Sequence, residues 1–113
     1  MNFTALVVED DTLQRETLAE LLKDEDLEVI ECTTAEAAEL VVASTGAELK
    51  ALVTDVSFAG EMSGTELAQF AKRRFPRINV VVVSGRPPPY IPQEASFLLK
   101  PYRPRELLDA VLL

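Results

Sequence analysis

The stretch ALVVEDD, residues 5–11, is four apolar residues that run straight into three carboxylates. A strand that is apolar at every position has both faces covered, the mark of a parallel sheet packed between layers of helix. Four further short apolar runs follow, LEVI at 27–30, ALV at 51–53, VVVV at 80–83 and FLL at 97–99. Most are rich in valine, isoleucine or leucine and nearly uninterrupted, so each reads as a strand of the same kind.

Between the runs the apolar residues recur at helical spacing. Residues 12–23 carry Leu13, Thr17, Leu18, Leu21 and Leu22 toward one side. Residues 34–44 carry Ala37, Ala38, Leu40, Val41 and Val42; Thr33 and Glu36 have capping-box spacing at the start, and Gly46 follows the end as a C-cap would. Residues 64–74 follow Ser63, which makes a second capping-box spacing with Glu66. Lys72, Arg73 and Arg74 suit the negative end of that helix dipole, and Pro76 stops it. Residues 104–113 begin on Pro104, whose missing N–H costs nothing in a first turn. Strands alternating with helices predict an α/β fold, a parallel sheet with helices on both faces and right-handed crossovers. The exception is GRPPPYIPQEA at 85–95, where Pro87, Pro88, Pro89 and Pro92 forbid an ordinary helix. A polyproline-like loop with at most one helical turn is expected there.

With 113 residues, the chain is expected to be a single domain over 1–113 with no output domain. A lone cysteine, Cys32, allows no internal disulfide and reads as a small packed side chain in a reducing, cytoplasmic setting. The first residues lack the basic start of a signal peptide, and no apolar run is long enough to cross a bilayer. Eleven basic against nineteen acidic residues leave a net charge of −8. That disfavours nucleic acid, and suits divalent cations and basic patches on protein partners. The absence of histidine excludes a phosphohistidine carrier and histidine-based acid–base catalysis.

Ligand sites in open α/β sheets form beyond the carboxyl ends of the strands. Those ends carry Glu9, Asp10 and Asp11, then Asp55, then Ser84, then Lys100 before Pro101. Neighbouring carboxylates repel one another and call for a cation, and a hard divalent ion such as Mg²⁺ is the natural answer. Such an ion also neutralises a phosphoryl group, an Asp oxygen can attack phosphorus in line, and a lysine and hydroxyl can hold the remaining oxygens. The spacing by itself supports a cation site at a sheet edge and does not select phosphoryl transfer.

VVEDD, TDV, VVSG and FLLKPY, in this order and at these separations, resemble the four signature segments of the response-regulator receiver family, across essentially all 113 residues. The resemblance implies a doubly wound, flavodoxin-like, five-stranded parallel sheet in the order 2-1-3-4-5. It implies Asp55 as phosphoacceptor, Glu9 and Asp10 as the acidic pair for Mg²⁺, and Ser57 as the donor of a backbone carbonyl to the same ion. It further implies Ser84 as the switch hydroxyl, Lys100 as the phosphoryl-pairing lysine before a cis proline at Pro101, and Phe97 as a possible aromatic switch. Asp11 reads as a helix cap.

Two departures stand beside these matches. Ala59 occupies a place where the family usually has proline, in a loop one residue longer than usual, and the proline segment stands where the family has its fourth helix. The resemblance implies a stand-alone receiver, not an enzyme beyond its own phosphorylation and dephosphorylation. Its partners would be a histidine kinase or phosphotransfer protein and a downstream protein, with no nucleic acid or membrane, as a monomer or weak homodimer. The competing expectations are a phosphorylation-independent interaction module and, more remotely, a small metal-dependent hydrolase.

Overall fold

A computed structural model of the chain describes residues 3–57 and 61–112. Five strands, β1 (Thr4–Val8), β2 (Glu28–Cys32), β3 (Leu49–Asp55), β4 (Asn79–Ser84) and β5 (Ser96–Leu99), form one sheet. Four helices lie between and after them: α1 (Thr12–Lys23), α2 (Ala35–Thr45), α3 (Gly64–Arg74) and α4 (Pro104–Leu112). Every pairing is parallel and the order is β2-β1-β3-β4-β5, the doubly wound order expected from the sequence. Leu113 of the expected last helix, and Ala59 and Gly60 of the loop after Asp55, lie outside the described residues.

Successive strand residues point to opposite faces, so the valine-rich strands feed two cores. On one face Leu6, Val8, Leu52, Val80 and Val82 pack with Ala38 and Val42 of α2 and Leu67 and Ala71 of α3. On the other, Ala5, Val7, Ala51, Val53, Val81 and Val83 pack with Leu18 and Leu22 of α1 and Leu107 and Val111 of α4. The expectation of strands covered on both faces holds for the central β1, β3 and β4. It does not hold for the edges β2 and β5, where Val29, Ile30, Phe97 and Leu98 are only half-buried. Cys32 is buried at the end of β2, and burial pushes its thiol pKa up, as a packed side chain requires.

The helix starts follow side-chain chemistry. Asp11 caps α1 by accepting from the Gln14 N–H at 2.9 Å. Ser63 and Glu66 form the expected capping box on α3, with reciprocal bonds of 3.1 and 3.0 Å. At α2 the expectation needs correction: the cap is Thr34, which accepts from the Ala37 N–H at 3.1 Å. Glu36 is then one position too early for a capping box, and its carboxylate goes elsewhere. Gly46 also acts differently from a left-handed C-cap. Its φ is −56° and its ψ −33°, ordinary helical values. Glycine is required there because a Cβ would collide with the Phe75 ring.

The β4–β5 connection holds no helix, as its prolines demand. Its one ordered turn closes with the Ala95 N–H donating to the Pro92 carbonyl at 3.1 Å, with Glu94 at φ 69°. The Tyr90 hydroxyl ties the loop to α3 through Gln69 Oε1 at 3.3 Å.

Gly64 sits in a close backbone contact near the sheet's carboxyl edge. Its N–H donates to the Val56 carbonyl at 2.8 Å, and a Cβ there would collide with the Asp55 carbonyl oxygen. Gly64→Ala is therefore expected to lower stability by roughly 1–3 kcal/mol, the usual cost of forcing a methyl into a packed backbone contact. Chemical denaturation of the two proteins measures this.

Candidate functional site

Strand register creates the site. Val8 of β1 lies opposite Thr54 of β3, so the carboxylates that follow these residues emerge side by side. Glu9, Asp10 and Asp55 each offer an oxygen to a common region, and the three oxygens lie within 4.8 Å of one another. Asp10 is exposed and Asp55 half-buried, whereas Glu9 is only 4 % exposed.

The backbone holds Glu9 in this buried position. Its N–H donates to the Cys32 carbonyl at 3.1 Å, and its own carbonyl accepts from Arg15 Nη1 at 3.1 Å. Burial pushes the Glu9 carboxyl pKa up, and a bond from the Asp11 N–H to Oε2 at 3.1 Å works against that rise. Asp55 is oriented from its own strand end: Oδ1 accepts from the Val56 N–H at 2.8 Å. Thr54 donates its hydroxyl to the Asp55 carbonyl at 2.8 Å.

Lys100 reaches the carboxylates from the end of β5. Its N–H donates to the Ser84 carbonyl at 2.8 Å, extending the β4–β5 pairing by one step, and the Lys100–Pro101 bond is cis. Nζ lies 3.1 Å from Glu9 Oε1, 3.3 Å from Asp55 Oδ2 and 2.8 Å from Gln14 Oε1. An ammonium has three donors, and here all three have acceptors. Burial works against the Lys100 charge, but Glu9 and Asp55 outweigh it and hold the ammonium pKa above the usual lysine range.

Beside this cluster opens a cleft of about 570 Å³, lined by Asp55, Ser57, Ser84, Arg86, Lys100 and the prolines 87–89. Ser84 is buried, and its Oγ accepts from the Arg86 N–H at 3.3 Å. Ser57 is exposed at the mouth. Phe97 stands apart: it pairs with Val82 in the sheet and packs half-buried against the core under α2 and α3. The structure thus brings together Glu9, Asp10, Asp55 and Lys100, sets Ser57 and Ser84 along the same cleft, and leaves Phe97 outside it.

Two residues at the site escaped the sequence reading. Gln14 makes the shortest of the Lys100 bonds, yet nothing in its sequence surroundings points to a partner 86 residues away. Arg86 lines the cleft two residues after Ser84; its closeness to a strand end was the available signal, hidden by the proline run that follows. The donor set fits Mg²⁺ on chemical grounds, because it consists of hard carboxylate oxygens at a partly open sheet edge.

Comparison with known proteins agrees with this geometry. The family model described as the response regulator receiver domain matches residues 5–112. No curated protein sequence matches the chain significantly. Among solved structures, a response regulator receiver protein from Sinorhizobium medicae is 24 % identical with a TM-score of 0.89, covering 98 % of this chain and 92 % of that one. The receiver domain of the hybrid histidine kinase CckA is 27 % identical with a TM-score of 0.83, covering 96 % of this chain and 95 % of that one. CheY in a CheX–CheY–BeF3–Mg²⁺ complex from Borrelia burgdorferi is 16 % identical with a TM-score of 0.83, covering 97 % and 87 %. Receiver domains are signalling modules that work with histidine kinases and phosphotransfer proteins, not classical enzymes. The family match spans nearly every residue, and the fold and the acidic cluster accord with it: the chain belongs to the response regulator receiver family.

Proposed function

We propose that the chain is a phosphorylation switch whose acceptor is Asp55. The observation that carries this is the meeting of Glu9, Asp10 and Asp55 oxygens within 4.8 Å, with the Lys100 ammonium bonded to two of the three residues. Glu9, Asp10 and Asp55, with the Ser57 carbonyl, would hold Mg²⁺; when bound, the ion neutralises phosphoryl oxygens. An Asp55 carboxylate oxygen attacks the phosphorus of a phosphohistidine, a P–O bond forms and the P–N bond breaks. The imidazole of the donor leaves. Lys100 then has a phosphoryl oxygen to bond in place of the carboxylate, and Ser84, whose Oγ accepts from the Arg86 N–H, donates its hydroxyl proton to another. Water later cleaves the acyl phosphate, restoring the carboxylate and releasing inorganic phosphate.

The phosphodonor in this reading is a histidine kinase or a histidine phosphotransfer protein, and the similar receiver domain of a hybrid histidine kinase supports that class. The signal leaves through a changed affinity for a downstream protein, in the cytoplasm, from a monomer or weak homodimer. Phosphorylation shifts a two-state equilibrium, with Ser84 and Phe97 as the residues that carry it from the cleft toward the sheet edge. Among the described residues no helix is long and apolar enough to cross a membrane.

Incubation with Mg²⁺ and a small phosphodonor, read by intact mass, tests the acceptor. One phosphoryl adduct is expected on the wild type and none on Asp55→Asn. An unlabelled wild type would instead favour a phosphorylation-independent interaction module. Lys100→Met tests the electrostatics separately. It leaves Glu9 and Asp55 facing each other without a cation and is expected to cost about 1–3 kcal/mol without Mg²⁺, less than a fully buried pair because Lys100 is partly exposed. Thermal melts should show Mg²⁺ stabilising this variant more than the wild type; an equal or smaller gain would contradict the account.

A further inference from the structure

Glu36 lies in the first turn of α2, outside the carboxylate cluster, and its side chain reaches beyond its own helix. An exposed acid at this position ordinarily faces water or its own helix N-terminus. Glu36 Oε2 also accepts from the Met62 N–H at 2.7 Å and from the Glu61 N–H at 3.1 Å, 26 and 25 residues along the chain. The Met62 N–H first, then the N–H of Glu36 itself and that of Glu61, hold its carboxyl pKa below the usual carboxylate range.

The segment it grips leads back to the acceptor. Four successive N–H groups, 61–64, are all occupied: two by Glu36, the third by Glu66 Oε1 at 3.0 Å and the fourth by the Val56 carbonyl at 2.8 Å. That carbonyl belongs to the residue between Asp55 and Ser57. Gly64 also lies against the Asp55 carbonyl so closely that no Cβ fits. Met62 packs its side chain on the core beneath α2 and α3. An unbroken path of backbone contacts therefore joins Glu36 to the strand end that carries Asp55 and Ser57. The stretch 57–63 contains no proline, and the two bonds from Glu36 tie residues 61 and 62 to α2.

We propose that Glu36 is a positioning residue that, by clamping the N–H groups of Glu61 and Met62, fixes residues 61–64 against the end of β3 so that the Asp55 edge binds a divalent cation. The proposal rests on the reading of Glu9, Asp10 and Asp55 as the cation site. It makes Glu36 an outer partner of that site, acting through hydrogen bonds to backbone, without contact with the ion.

The test titrates Mg²⁺ alone into wild type, Glu36→Ala and Glu36→Gln by calorimetry, with amide hydrogen exchange read at Glu61 and Met62. Glu36→Ala is expected to weaken Mg²⁺ binding about tenfold, the lower end of what loss of an outer partner costs, and to lose protection at both amides. Phosphorylation by a small phosphodonor should return to the wild-type rate at saturating Mg²⁺, because the reacting groups are untouched. Glu36→Gln retains an acceptor oxygen and should stay within roughly threefold of wild type in Mg²⁺ affinity, since a neutral acceptor keeps most of such a bond. Unchanged Mg²⁺ affinity in Glu36→Ala, with protection lost, would overturn the clamp while leaving the cation site intact. Equal losses in Ala and Gln would overturn it in favour of a simple charge effect. A wild type that binds no Mg²⁺ would remove the cation site and the clamp together.

Discussion

The Lys100 ammonium bridges two carboxylates that reach it from sequence distances of 91 and 45 residues, Glu9 and Asp55. Acidic oxygens within 4.8 Å of one another repel by roughly 3 kcal/mol per ionised pair at an effective dielectric of about 20. A domain of this size has a net stability of only about 5–15 kcal/mol, so the cluster needs a resident cation. Lys100 supplies it, from the one strand whose backbone is paired to the end of β4 rather than to either carboxylate strand. The β1, β3, β4 and β5 strands must stand side by side for that charge to meet both carboxylates. In the proposed function, the cation that makes the carboxylates tolerable is held by the groups whose charge phosphorylation and metal binding would change.

Around this centre the chain ends its strands in ways that aim side chains at one edge. Asp11 turns the chain into α1 and its N–H fixes Glu9. Gly64 lets α3 begin against the Asp55 carbonyl. The β4–β5 connection does its part without a helix, laying three consecutive prolines along the cleft wall. Those prolines restrict the loop by covalent geometry where a helix would do so by packing. Side chains of the short edge strand β5, Phe97 among them, consequently lie half-covered, and Leu99 is exposed. Any readout through this side of the molecule passes over a surface of proline and half-buried aromatic residues, unlike a helical face.

Much of this was legible in the sequence because it depends on local patterns. Short, nearly uninterrupted apolar runs pointed to the strands, and carboxylates, serine and lysine at the ends of β1, β3, β4 and β5 pointed to the candidate site. Residues at strand ends of one parallel sheet must share an edge, so Glu9, Asp10, Asp55, Ser84 and Lys100 could be gathered without knowing any distance. What escaped was long-range and side-chain specific. Glu36 had the right spacing for a capping box with Thr33, but the helix begins one residue later and the carboxylate found N–H groups across the fold. Gly46 looked like a C-cap, yet its role is to leave room for Phe75. Gln14 was one polar residue on an amphipathic helix until Lys100 came within 2.8 Å. Periodicity reports which face a residue occupies, not which partner from a distant element will meet it.

The central claim is that this geometry makes Asp55, and not its acidic neighbours, the phosphoacceptor. Borohydride reduces an acyl phosphate to an alcohol and leaves free carboxylates alone, so it marks the acceptor at the atom that reacted. Peptide mass spectrometry of the phosphorylated and reduced chain should find Asp55 converted to homoserine and every other aspartate intact. Conversion at Asp10 or Asp11, or phosphate retained on a residue that borohydride does not reduce, would contradict the account.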